Sequence, residues 1–163
     1  MIRPYEERDR PNVERLMDWF GDELAAMDPY RRVLRGEGFG AYYVDRMLTE
    51  AREHDGLVLV AEEDGSVVGF AGGAVRDRPD EEALEVLRYH DGEITELYVA
   101  PTARRRGIGA ALVERLEDEF RARGCGAVHI DVFAPNESAK QFYAWLGYVA
   151  REIHQLKILD RET

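Results

Sequence analysis

Hydrophobic residues near the start of the chain recur every three or four positions, which is the spacing of one buried helix face. This helix is predicted to begin after Asp9, a capping residue, with Pro11 in its first turn. A short strand over residues 2–7 is predicted before it, and a second helix over residues 41–53 is predicted after it. The positions on the first apolar face are Val13, Leu16, Met17, Phe20 and Leu24.

The middle of the chain has a pattern typical of strands. Residues 57–61 are nearly all apolar, as in a strand that is buried on both faces. Asp64 and Gly65 predict a tight turn into a return strand over residues 67–75. An acidic segment over residues 77–91 follows, with a helical turn predicted around residues 83–87, and a strand over residues 94–99 is ended by Pro101.

The last part of the chain alternates helices and strands. An amphipathic helix is predicted over residues 107–123 with Gly124 at its C-terminal end, and a strand over residues 127–133 follows it. Asn136 predicts the cap of a helix that runs through Leu146 and ends at Gly147. Residues 148–159 predict a final strand. Elements in this order indicate a single α/β domain, spanning residues 1–163, with a mixed sheet.

Composition and charge narrow the classes of function. A length of 163 residues suits one domain, the apolar runs are too short to cross a membrane, and the charged start is unlike a signal peptide. The net charge of −11 argues against a nucleic-acid partner. A single cysteine, Cys125, allows no intrachain disulfide, so a cytoplasmic location is predicted. Cys125 and the four histidines match no metal-ligand spacing, so no metal is predicted.

One short part of this acidic chain has no acidic residue. Residues 97–113 lack Asp and Glu and contain Arg104, Arg105 and Arg106, followed by Gly107 and Gly109. Glycines let the backbone approach a ligand closely, and the first turn of a helix presents free N–H groups. The segment therefore predicts a site for a pyrophosphate or a similar anion, with a packing turn and solvated arginines as the alternative. A P-loop would need a Gly-Lys-Ser/Thr sequence, and a dinucleotide-binding motif would need a third glycine.

Two motifs in the second half resemble those of the GNAT superfamily, the Gcn5-related N-acetyltransferases. Arg104, Gly107 and Gly109 match its Arg/Gln-x-x-Gly-x-Gly/Ala motif, and the family-like stretch ITELYVAP precedes them. The second matched motif, in APNESAKQFYAWLGY, consists of Asn136, Ala139, Tyr143 and Gly147, with Tyr148 in place of the usual Phe. The resemblance implies a GNAT-like fold, which is a mixed, mostly antiparallel sheet flanked by helices and splayed between strands 4 and 5.

The resemblance also implies that both motifs bind acetyl-CoA as a co-substrate. Leu97, Tyr98 and Val99 would pair through their backbone with the pantetheine arm, and Asn136 and Ala139 would belong to the same site. The turn around the pyrophosphate would consist of Arg104, Arg105, Arg106, Gly107, Ile108, Gly109 and Ala110. Tyr143 would protonate the leaving thiolate, a task that suits a phenol. An ordinary core aromatic is the alternative for Tyr143.

The acceptor amine must lose a proton before it attacks, and similar enzymes use a carboxylate of the fourth strand for this. Glu93 and Glu96 are the candidates. They are three positions apart, so a regular strand directs them to opposite faces unless a bulge breaks the alternation. His129 and Asp131 on the next strand are lesser candidates. The choice between Glu93 and Glu96, or an ordinary charged edge, stays open at the level of the sequence.

The predicted function is direct transfer of an acetyl group from acetyl-CoA to a primary amine of a small molecule or a peptide, in a ternary complex. Residues 77–96 contain eight acidic and two basic residues, a net charge of −6, which suits a cationic acceptor. A non-catalytic acyl-CoA-binding domain and a phosphate-binding domain unrelated to CoA are the alternatives. Dimers are common among similar proteins, so a homodimer is an expectation from the resemblance.

Overall fold

The computed structural model describes residues 1–77 and 90–159. Within these residues five strands form one sheet in the order β1-β2-β3-β4-β5, and four helices flank it. The strands are β1 (Ile2–Pro4), β2 (Leu57–Glu63), β3 (Ser66–Asp77), β4 (His90–Val99) and β5 (Val128–Ile130). The helices are α1 (Arg10–Met27), α2 (Phe39–Glu53), α3 (Ile108–Ala122) and α4 (Glu137–Trp145).

Strand pairing leaves one side of β4 open. β1 to β4 pair antiparallel in sequence order, whereas β5 lies parallel to β4 and contacts it at Gly92, Glu93 and Ile94. β4 continues beyond this contact to Val99 and stays paired with β3 over that length. The sheet is therefore mixed and mostly antiparallel, and it separates between β4 and β5. This confirms the predicted fold class.

Buried side chains on both faces of the sheet hold the helices in place. One group joins α1 and α2 to the sheet and includes Val13, Leu16, Met17, Val44, Met47, Phe70 and Tyr98. A second group joins α3 and α4 to the other face and includes Leu59, Ile94, Leu112, Leu116, Phe120 and Tyr143. Full burial of a large apolar side chain stabilises the fold by roughly 1.5–3 kcal/mol. Because β4 contributes Tyr98 to the first group and Ile94 to the second, packing stabilises it on both faces.

A β-bulge interrupts the pairing of β3 with β4. Gly73 lies opposite Ile94 and Gly72 lies opposite Glu96, so Thr95 has no partner residue on β3. A Cβ atom at Gly72 would lie 2.7 Å from Thr95 Oγ1 and 2.6 Å from Met47 Cγ, so a side chain at this position would collide with both. The absence of a side chain at Gly72 therefore lets the bulge pack under α2. One extra residue also reverses the alternation of side chains along the strand.

Most element boundaries agree with the sequence pattern, but three strands differ, of which β4 begins at His90 and not at Ile94. The first strand ends at Pro4, because Glu7–Asp9 forms a 3-10 turn in which Asp9 accepts a bond from the Glu6 N–H at 2.8 Å. Asp9 precedes α1 as predicted, yet its side chain makes no cap bond to that helix. The strand predicted over residues 127–133 is shorter, at Val128–Ile130.

The final strand predicted over residues 148–159 is wrong. These residues form no strand, and Val149, Ile153 and Leu159 are more than four-fifths exposed. Apolar spacing describes a strand only where a neighbouring backbone completes the hydrogen bonds, and β5 offers an edge of just three residues. The helical turn predicted around Ala83, Leu84 and Leu87 lies outside the described residues.

Within the described residues, the structure has no helix that is both long enough and apolar enough to cross a membrane.

Candidate active site

The turn between β4 and α3 contains two residues with left-handed backbone and leads into the N-terminus of α3. Arg105 has a φ of 61° and Gly107 a φ of 81°, which is the left-handed region. Gly107 is the N-cap of α3, and the Ala111 N–H donates to its carbonyl at 3.0 Å. The N–H groups of the first helical turn before Ala111 lack such intrahelical acceptors. Alternating conformations of this kind direct successive N–H groups toward one anion, and the helix dipole adds positive potential.

The three arginines of this turn have different surroundings. Arg104 donates to Glu23 of α1 at 2.7 and 2.9 Å and to the Val99 carbonyl at 2.8 Å. Arg106 pairs with Glu63 at 2.9 Å. Arg105 is exposed and makes no ion pair with any described residue. The side chain that is free to meet an anion is therefore that of Arg105, whereas Arg104 joins the turn to α1.

The strand residues predicted to meet the cofactor lie on the open part of β4. Leu97 and Val99 are half-buried on the side of the sheet that α3 and α4 cover, while Tyr98 points into the core against Phe20. The Tyr98 hydroxyl donates to Glu23 at 2.7 Å. Tyr98 therefore offers a ligand only its backbone, and the pairing of residues 97–99 with a ligand stays a prediction.

The second motif forms α4 and its cap. The Asn136 Oδ1 atom accepts a bond from the Ala139 N–H at 3.0 Å, which confirms the predicted cap. Tyr143 is buried, and its ring contacts Phe142 and Tyr148 at 5.1 and 5.4 Å between centroids. Burial raises the pKa of the Tyr143 phenol above its ordinary value, so it remains protonated at neutral pH.

A cavity of about 230 Å³ opens beside β4. Its walls come from α2, from the end of β3, from the bulged part of β4, and from the residue directly after β5. Its charged lining residues are Arg46, Glu50, Arg76, Glu93, Glu96 and Asp131. Since Asp131 follows β5, and Glu93 and Glu96 belong to β4, the cavity lies where these two strands stop pairing. We call it the β4–β5 cavity.

The bulge at Thr95 brings both candidate glutamates to this cavity. Glu93 is half-buried and its carboxylate accepts a hydrogen bond from Arg76. Glu96 is 8% exposed, and its Oε2 atom has no hydrogen-bond partner among the described residues. Burial raises the pKa of Glu96. Glu93 is thus held by a cation, while Glu96 keeps a free, buried oxygen atom at the cavity.

Arg76 and Glu50 are site residues that the sequence analysis missed. Arg76 is the penultimate residue of β3 and donates to Glu50 on α2 at 2.7 Å as well as to Glu93. Its hydrogen bond to Glu50 lowers the pKa of that carboxyl. Helical spacing could have indicated Glu50, because it follows the buried Met47 by three positions on the same face of α2. Strand alternation alone gives no sign of the Arg76 contacts.

The lesser candidates are divided by the structure. Asp131 lines the β4–β5 cavity, whereas His129 bonds to Asp91 at 2.9 Å. Cys125 is half-buried, and burial raises the pKa of its thiol. Among residues 1–77 and 90–159, no three His, Cys, Asp or Glu side chains form a group that could hold a metal ion.

The architecture as a whole matches that of solved structures from other organisms. A mutant of the BH1408 protein from Bacillus halodurans superposes with a TM-score of 0.84 at 21% identity, covering 98% of this chain and 99% of that chain. At this level of identity the likeness shows the fold. Residues 13–148 match the model of the family described as "Acetyltransferase (GNAT) family". The chain belongs to this family.

Curated relatives agree with this assignment. An uncharacterized N-acetyltransferase, MJ1207 of Methanocaldococcus jannaschii, is 34% identical over 102 residues, which is 63% of this chain and 42% of the relative. The acetyltransferase ECA0875 of Pectobacterium atrosepticum is 36% identical over 92 residues, which is 56% of this chain and 57% of the relative. The aligned region thus spans about half the length of these relatives.

Proposed function

We propose that the chain is an acetyl-CoA-dependent N-acetyltransferase that moves the acetyl group directly to a primary amine. The observation that supports this best is Glu96, a buried carboxylate at the β4–β5 cavity with an oxygen atom that has no hydrogen-bond partner in the described part of the chain. A buried polar atom without a partner costs folding free energy, so its retention suggests a ligand that completes it. A protonated amine is such a ligand, because it donates hydrogen bonds to a carboxylate.

The residues at the β4–α3 turn fit the anionic part of acetyl-CoA. The N–H groups from Arg105 to Ala110 would hold the pyrophosphate, with the free guanidinium of Arg105 beside it. Gly107 already has the left-handed backbone that such an arrangement needs. The open edge of β4 from Leu97 to Val99 would accept the pantetheine arm. Acetyl-CoA supplies a thioester whose acetyl group an uncharged amine can attack.

Proton removal is the task we assign to Glu96. The raised pKa of its carboxyl makes it a stronger base once it has ionised, and its free oxygen atom can take a proton from the amine or from a bridging water. Glu93 is a weaker candidate because its carboxylate is already bonded to Arg76. The proposal therefore chooses between the two glutamates that strand alternation left open.

Tyr143 is the proposed proton donor to the departing thiolate. Its phenol is buried on the α3 side of the sheet, whereas Glu96 faces the cavity on the α2 side, so the two groups could serve opposite ends of the reaction. The raised pKa keeps the phenol protonated until the thiolate forms. The Cys125 thiol has a raised pKa and does not line the cavity, so the proposal needs no covalent acyl-enzyme.

The function is tested by measuring thiol release from acetyl-CoA with a panel of amines, a lysine peptide and an aminoglycoside. We expect thiol release that depends on one class of amine, with an acetylated product of matching mass. Calorimetry with CoA and with ATP accompanies the assay. CoA binding without transfer to any acceptor would favour an acyl-CoA-binding domain, and equal binding of ATP would favour a general phosphate-binding domain.

A further inference from the structure

The charged side chains of the β4–β5 cavity fall into two groups. Glu50 and Glu93 are both bonded to the Arg76 guanidinium, whose single positive charge compensates one of their two negative charges. Glu96 and Asp131 make no ion pair with any described residue. Both of these carboxylates line the cavity. The cavity therefore offers two carboxylates that make no ion pair with residues 1–77 and 90–159.

These two carboxylates, which make no ion pair with any described residue, come from different parts of the sheet. Glu96 belongs to the bulged part of β4, and Asp131 directly follows β5, the strand that has separated from β4 at this level. Glu96 is buried at 8% exposure, while Asp131 is exposed. A ligand that enters past Asp131 and reaches Glu96 would therefore meet one carboxylate at the opening and a second one inside.

The remaining charged group is Arg46, which is exposed on α2. Its guanidinium lies over the Tyr43 ring, 5.4 Å from the centroid, and makes no ion pair with any described residue. Four carboxylates and two arginines line the cavity, so its formal charge is −2 when all six side chains are ionised. This excess favours a ligand with more than one positive charge over a ligand with one.

Resting on the proposed function, we infer that the acceptor is a diamine or a longer polyamine whose reacting nitrogen lies at Glu96 and whose second ammonium pairs with Asp131. The reacting ammonium gives one proton to Glu96, and its nitrogen then forms the bond to the acetyl carbon as the carbon–sulfur bond breaks. The nitrogen releases its second proton to solvent as the amide forms, and the departing thiolate takes a proton from the Tyr143 phenol, which is reprotonated from solvent. The second ammonium keeps its proton throughout, so it contributes binding energy only.

The inference is tested by comparing butane-1,4-diamine with butan-1-amine in the thiol-release assay, for the original chain and for Asp131→Asn. Asp118→Asn is the matched control, because Asp118 is an exposed carboxylate on α3 that pairs with Arg121 outside the cavity. We expect kcat/KM for the diamine to exceed that for the monoamine about fivefold or more, as expected for one partly exposed ion pair.

In Asp131→Asn the preference for the diamine over the monoamine should disappear through a higher KM for the diamine. Asp118→Asn should keep the preference. Equal use of the two amines by the original chain, or an unchanged preference in Asp131→Asn, overturns the inference and leaves the proposed function standing. Acetylation of only a peptide or an α-amino acid does the same. Absence of thiol release with every amine contradicts the proposed function itself.

Discussion

The two halves of the candidate active site, the β4–α3 turn and the β4–β5 cavity, use different chemical groups. At the β4–α3 turn, the proposed binding groups are backbone N–H groups of consecutive residues, beside the left-handed conformations of Arg105 and Gly107. In the β4–β5 cavity they are carboxylates from β4, from α2 and from the residue after β5. The first half needs one short segment of the chain, whereas the second needs distant segments brought together by the sheet.

This difference explains how much of the site the sequence could reveal. A turn made of adjacent residues leaves a motif with fixed spacing, so Arg104, Arg105, Arg106, Gly107 and Gly109 predict an anion site from the sequence alone, and that site stays a prediction. The contact of Arg76 with Glu50 and Glu93 joins residues 26 and 17 positions apart and leaves no such motif. The pattern of apolar residues located the elements of both halves about equally well.

The bulge at Thr95 is the clearest example of a site feature that the sequence pattern could not predict. Regular alternation placed Glu93 and Glu96 on opposite faces, and the outcome depends on a close contact among Gly72, Met47 and Thr95 from three elements. The prediction of a final strand was wrong for a related reason, because the spacing of apolar residues within 148–159 does not show whether a partner strand is available. The local sequence pattern determines neither the bulge nor the absence of a final strand.

The largest effect on activity is expected from Glu96→Gln, in the β4–β5 cavity. Removing the proposed base should lower kcat/KM for the amine by about 10³-fold, within the range of general base catalysis. Affinity for CoA should stay within about twofold, because Glu96 does not belong to the β4–α3 turn. Thiol-release kinetics and calorimetry measure the two quantities. Glu93→Gln is the control, and a loss as large as that of Glu96→Gln would remove the distinction between the glutamates.

Tyr143→Phe should have the next largest effect. The substitution removes only the hydroxyl from a buried ring, so the packing against Phe142 and Tyr148 remains and CoA affinity should change little. We expect kcat to fall by about 10²-fold, the lower end of the contribution of a general acid. Equal kcat in the two proteins would remove Tyr143 from the mechanism and leave it a core aromatic.

Arg104→Gln and Arg105→Gln form a matched pair of substitutions at the β4–α3 turn. Arg104 is bonded to Glu23 and to the Val99 carbonyl, so its loss should cost ~1 kcal/mol and lower Tm by about 2–4 °C. Arg105 has no ion pair in the described structure, so its loss should leave Tm unchanged and weaken CoA binding about fivefold. Thermal unfolding and calorimetry separate the two effects, and the reverse assignment would contradict the account of this turn.

Added salt should have the smallest effect and should act on both halves. An acidic cavity attracts a cationic amine and the β4–α3 turn attracts an anion, and both attractions are screened as the Debye length shortens to about 8 Å at 0.15 M. We expect kcat/KM for the amine to fall about threefold between low salt and 0.15 M. A flat dependence on ionic strength would show that long-range attraction of the amine plays no part.

The pH dependence of kcat/KM for the amine tests the central claim most directly, namely that Glu96 removes the proton. Burial raises the pKa of Glu96, and only its ionised form can accept a proton, so activity should fall as the pH drops through a value above the ordinary 4.5 of a glutamate. In Glu96→Gln this acidic limb should vanish, leaving a low and flat rate in that range. A limb that persists unchanged in Glu96→Gln would assign the proton to another group and contradict the account.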